Sequence, residues 1–167
     1  MDTKVLAAVT LGVITFVCSF RSSAADEVLR AVLPGDLGLP SQQAFRKAST
    51  DRFLKAVADF DGNGKSDTAS LKVDLAKNEA VVIVVLSRRA GAALELRRFK
   101  LSDLPNVGIA VVKRGTFFPA CSRRAGPDCN AAAVTVSRPS INLFNYEGAA
   151  TYYYWDRTAF RALPIAD

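Results

Sequence analysis

Apolar residues are laid out in two ways along this chain. Residues 5–20 form an almost unbroken apolar run behind the single charge of Lys4. From residue 67 onward the pattern changes to period two: Ala69, Leu71 and Val73 alternate with Ser70, Lys72 and Asp74, which predicts a strand with one buried face. Residues 80–86 are a β-branched run suited to a central strand. Further strands are predicted at 94–101, 107–113, 132–137, 141–146, 151–155 and 160–165, divided by polar, glycine or proline turns. Residues 52–58 fit either a helical face (Phe53, Leu54, Val57) or a strand (Leu54, Ala56, Ala58). Upstream, Val28, Leu29, Val32 and Leu33 form a short amphipathic piece before breaks at Pro34-Gly35 and Pro40. Ser41 is placed to cap a short helix through Lys47, with Phe45 facing inward. The predicted fold class is mainly β, an antiparallel meander or small β-sandwich with short N-terminal helical segments.

The first apolar run changes the picture of where the domain begins. Arg21-Ser22-Ser23-Ala24-Ala25 follows it, with small residues where signal peptidase reads, so residues 1–25 have the layout of a secretory signal cleaved between Ala25 and Asp26. A spanning helix wants about 20 apolar residues, more than this run supplies, so no stable membrane anchor is expected after processing. Lipidation at Cys18 is disfavoured by Val17, where a small residue is needed. Residues 26–167 then make one β-rich domain in the periplasm or outside the cell.

Composition adds two points. The net charge of +6 favours solubility and weak attraction to anionic surfaces and does not bear on fold. Behind the signal the cysteines are Cys121 and Cys129, which in an oxidising compartment are expected to bridge and close a short loop. The alternative is a redox or metal pair, but the spacing is too wide for C-x-x-C, and the chain has no histidine to complete a zinc shell.

The candidate chemistry sits in residues 59–67, Asp-Phe-Asp-Gly-Asn-Gly-Lys-Ser-Asp. Calcium takes six to eight oxygen ligands from a flexible cage. Asp59, Asp61 and Asn63 fall on alternate residues, the carbonyl of Lys65 stands where a main-chain oxygen is usually donated, and Asp67 follows as a closing carboxylate. Gly62 and Gly64 permit the tight backbone path. The competing reading is an Asx-rich turn whose side chains cap their own backbone. The first six residues fit an EF-hand, but the twelfth position is Ser70 where a bidentate Glu is required, and an alternating strand follows in place of a helix.

The stretch resembles the D-x-D-G-x-G-x-x-D loops of FG-GAP and VCBS-type repeats, in a single copy. That resemblance implies calcium as the cofactor and a β-strand leaving the loop. One copy is too few for a propeller. The ending, Tyr153-Tyr154-Trp155-Asp156 followed by Phe160, is similar to the Y-W-D-x-x-x-F close of small exported bacterial proteins of unknown function that carry one such loop.

Other features weigh less. On a strand, Tyr152 and Tyr154 face one way and Tyr153 and Trp155 the other, either as an exposed aromatic platform or, the favoured reading, as a strand packed on one side. Four basic doublets (Arg88-Arg89, Arg97-Arg98, Lys113-Arg114 and Arg123-Arg124) sit near turns or strand ends. Adjacent residues on a strand point to opposite faces, so a doublet does not itself make a patch. Without histidine there is no Ser-His or Cys-His pair, and no phosphate-binding or dinucleotide fingerprint occurs. The expectation is a non-enzymatic, calcium-binding module that recognises a protein or glycan and no nucleic acid. The alternative is a cell-wall or glycan hydrolase, or an inhibitor of one.

Overall fold

The computed structural model describes residues 29–38, 45–46, 52–89, 92–120, 132–146 and 148–166. The signal segment 1–25, most of the predicted helix 41–47, Cys121 with Cys129, and the doublet Arg123-Arg124 lie outside the described residues.

The chain is mainly β. Its strands are β1 (Leu29–Ala31), β2 (Lys55–Ala58), β3 (Asp67–Asp74), β4 (Glu79–Val85), β5 (Ala93–Lys100), β6 (Val107–Val112), β7 (Gly115–Phe117), β8 (Val134–Val136), β9 (Ser140–Asn145), β10 (Ala150–Trp155) and β11 (Phe160–Ala166). All pairings are antiparallel. In the first sheet β4 runs along one edge of β3, while β1 and β2 dock end to end on the other, through Leu29↔Asp74 and Ala58↔Asp67. β5 flanks β4 and carries a bulge past the Val82↔Arg97 pair. The second sheet has the order β11-β10-β9-β6, and β7 pairs with β8 as a separate ribbon.

The period-two pattern explains why these sheets meet. Ala69, Leu71 and Val73 of β3 and Ala80, Val82 and Val84 of β4 are buried in one core with Val107, Ile109, Ile141, Tyr153 and Trp155 of the second sheet. Truncating a buried Leu or Ile there costs about 2–5 kcal/mol through lost transfer energy and the cavity left behind. The two sheets are also tied by a main-chain hydrogen bond from Ile109 to the Phe53 carbonyl, 2.8 Å. Away from that tie, β5 and the β10–β11 pair bound two adjoining hollows of ≈ 380 and ≈ 390 Å³ that share Tyr153 and Ala162. No barrel closes.

Within residues 52–58 a turn leads into the strand Lys55–Ala58: Ala56 is buried and Val57 is 48% exposed, so the Leu54, Ala56, Ala58 face is the inner one. The predicted short N-terminal helical segments are not found as α-helix among the described residues. Leu29–Ala31 pairs with β3, and one 3₁₀ turn follows at Pro34–Leu37. The proline has no N–H to continue a ladder. Asp36 fastens the turn by accepting from the Leu33 N–H and from both terminal nitrogens of Arg30, at 2.6–2.7 Å. The aromatic strand is packed rather than a platform. Tyr153 and Trp155 enter the core, and Tyr152 meets Phe117 edge-on with centroids 5.0 Å apart. Among the described residues no helix is long and apolar enough to cross a membrane.

Candidate metal centre

The loop that begins at Asp59 is the hairpin connection between β2 and β3, and the pairing Ala58↔Asp67 closes its base. Two glycines in the left-handed region, Gly62 at φ 76° and Gly64 at φ 82°, fold the backbone back on itself. This turns successive amides toward the acids. Asp59 accepts from the N–H groups of Gly62, Asn63 and Gly64 at 2.7, 3.0 and 2.8 Å. Asp61 Oδ1 accepts from Asn63 N–H at 3.1 Å, and Asn63 Oδ1 from Lys65 N–H at 2.7 Å. Phe60, fully buried, anchors the loop in the core.

Asp67 is the acid that ties the loop to its surroundings. Its Oδ2 accepts from Phe60 and Asp61 N–H, and its Oδ1 from Ser87 N–H at 2.8 Å. It is 1% exposed. Ser87 opens a short 3₁₀ turn, Ser87–Arg89, directly after β4, and its hydroxyl receives the Asn63 side-chain amide at 2.8 Å. The loop is therefore clamped to the next turn of the sheet as well as to itself.

Of the five predicted ligands, the structure gathers Asp59, Asp61 and Asp67, with one carboxylate oxygen from each lying within 4.8 Å of the others. Calcium–oxygen bonds of 2.3–2.6 Å allow two ligands on one ion to stand up to about 5 Å apart, so these three can share an ion. Asn63 is exposed with its amide turned to Ser87, and Lys65 is exposed on the same loop. An all-oxygen donor set suits a hard cation.

Two arginines complete the environment. Arg88 Nε lies 2.7 Å from Asp61 Oδ2, whose carboxylate is fully buried. The contact is one of charge, because no N–H is aimed at that oxygen and Oδ2 has no directed donor. Arg138 reaches in from the turn between β8 and β9 and donates to the Asp61 carbonyl at 2.5 Å. Arg88 and Arg89 both stand over the Trp155 ring, at 4.9 and 5.6 Å from its centroid. They converge because the doublet occupies a 3₁₀ turn, where neighbours are not sent to opposite faces as on a strand. The carboxylates are thus partly compensated by guanidinium before any ion arrives.

Sequence reasoning pointed to the acids and missed their cationic neighbours. The usable signal was the carboxylate excess itself, which demands nearby positive charge. No protein family, curated protein or solved structure matches this chain.

Proposed function

We propose that the chain is an exported β-sandwich module, stabilised by one calcium ion in the 59–67 loop, that works by binding a protein or glycan rather than by catalysis. The observation carrying this reading is the convergence of Asp59, Asp61 and Asp67 within single-ion range. Support comes from the buried Asp61 Oδ2, which has no directed hydrogen bond to give up on meeting a cation. The resemblance to FG-GAP and VCBS-type loops favours calcium over magnesium, which demands tighter octahedral geometry and sheds water reluctantly. Export rests on the pattern of residues 1–25 and places the module in calcium-containing surroundings. The absence of histidine from the chain favours binding over nucleophilic catalysis.

Calorimetry and thermal melts in calcium, magnesium and chelator test the assignment. Binding to the native state alone stabilises by RT ln(1 + [L]/Kd), about 2.7 kcal/mol at 100 times Kd. Millimolar calcium should therefore raise the melting temperature by a few degrees, magnesium by less, and Asp61→Ala should abolish the difference. Melts indifferent to calcium, with no calorimetric heat, would leave only the Asx-rich turn.

A further inference from the structure

Beside the loop the geometry points to a second site: a hollow that binds an oxyanion ester, a phosphate or sulfate carried on a body of sugar size, through Lys113, Arg114 and Arg138. Strand register builds it. Val112 of β6 pairs with Ser140 of β9, and Gly115 of β7 pairs with Val136 of β8. The turn holding Lys113 and Arg114 is thereby set against the turn holding Ser137, Arg138 and Pro139. The hollow between them measures ≈ 480 Å³ and is bounded on the loop side by Asp59 and Gly62. That is several times the space a bare oxyanion needs and lies within the range of small-ligand sites, about 300–1,000 Å³.

Three cationic side chains, Lys113, Arg114 and Arg138, line this hollow against the single carboxylate of Asp59, leaving an excess of positive charge. Among the described residues Lys113 and Arg114 form no hydrogen bond or ion pair, and Arg138 gives one N–H to a main-chain carbonyl. Asp59, the acid on the rim, forms no ion pair and spends both oxygens on three N–H groups. Like charges gathered along one concave wall repel, and an anion relieves them. Guanidinium forks hold oxyanions two hydrogen bonds at a time, the lysine adds a point charge, and the Ser137 hydroxyl supplies a neutral donor on the same wall. The three cationic side chains are not among the carboxylate ligands, and although Asp59 borders both sites the proposal does not rest on the calcium assignment.

The test is a calorimetric titration of the protein, in chelator and again in calcium, with glucose 6-phosphate, glucose 6-sulfate, inorganic phosphate, inorganic sulfate and glucose. Either or both esters should bind in chelator, more tightly than the inorganic ions and with affinity falling as salt rises. The ester preferred identifies phosphate or sulfate, and glucose should give no heat. Lys113 and Arg114 are exposed and form no hydrogen bond or ion pair among the described residues, so Lys113→Ala/Arg114→Ala should lose at least tenfold in affinity with an unchanged melting temperature. Silence with every anion, equal binding by glucose, inorganic ions binding as tightly as the esters, or full affinity in the double variant would each overturn the assignment.

Discussion

Arg88 links the candidate metal loop to the only tryptophan of the chain: its Nε lies 2.7 Å from Asp61 Oδ2, and its guanidinium carbon lies 4.9 Å over the Trp155 ring. A cation entering the loop meets that guanidinium as a competitor. Calcium titration should therefore change Trp155 emission, and Arg88→Ala should change emission without calcium. Arg88 is 41% exposed although Asp61 is buried, so the attraction is of order 1 kcal/mol after solvent screening, and Arg88→Ala should bind calcium about five- to tenfold more tightly. Weaker or equal affinity in calorimetry would count against competition.

Asp67 separates the roles of ligand and structural acceptor. Asp67→Ala would strand the N–H groups of Phe60, Asp61 and Ser87, at a cost of about 3–5 kcal/mol even in chelator. Asp59→Ala should cost less, because its partners lie in the exposed part of the loop and can turn to water. Urea unfolding of both variants, without calcium, gives the comparison. Equal losses would contradict this division.

The two loop glycines should also part company. At Gly62 an added Cβ would collide with the Arg138 guanidinium, whereas at Gly64 it meets open space. Both positions have positive φ, so Gly64→Ala carries backbone strain alone, about 1 kcal/mol. Gly62→Ala must in addition displace Arg138 from the Asp61 carbonyl, raising the loss to about 2–3 kcal/mol. Denaturant midpoints measure the difference, and similar values would show that Arg138 yields freely.

Acid should destabilise the fold through a defined set of groups. Arg98 beside Asp74, helped by the Lys77 N–H, holds that carboxyl below its ordinary value. Arg30 does the same for Asp36, and the N–H groups of Ala159 and Thr158, with Arg161, hold Asp156 far below it. Native carboxylates that titrate lower than in the unfolded chain, near 3.9, bind fewer protons than the unfolded state does. Their stabilisation is complete above about pH 5 and is lost as the pH falls through the depressed native values. In chelator the urea midpoint should hold from pH 7 to 5 and then decline, with a shallower decline in Asp156→Asn. A midpoint that rose below pH 5 would reverse the sign.

How much of this was legible in the sequence depends on distance along the chain. β3 and β4 were readable because Ala69, Leu71, Val73 and the run after Ala80 report burial locally. β2 was ambiguous because Leu54 belongs to both periods, and only pairing with β3 decides. β1 and β7 have three residues each, too few for any period to show. The predicted acids of the site are neighbours in sequence, so their spacing spoke for them. Arg138 acts across 77 positions from Asp61, which no local pattern can announce. Arg46 is similar: it is buried and donates to the carbonyls of Arg52 and Val107, a role set by the packed backbone around it.

The bulge in β5 matters beyond the sandwich. β5 ends its sheet, and a second chain seeking to extend that sheet would find the ladder out of step beside Val82, with Glu95, Arg97, Arg98 and Lys100 along the strand. Mismatched spacing and charges that must shed water both oppose edge-to-edge stacking. The same irregularity that bends β5 over the core thus makes this edge of the described sheet a poor template for a further strand.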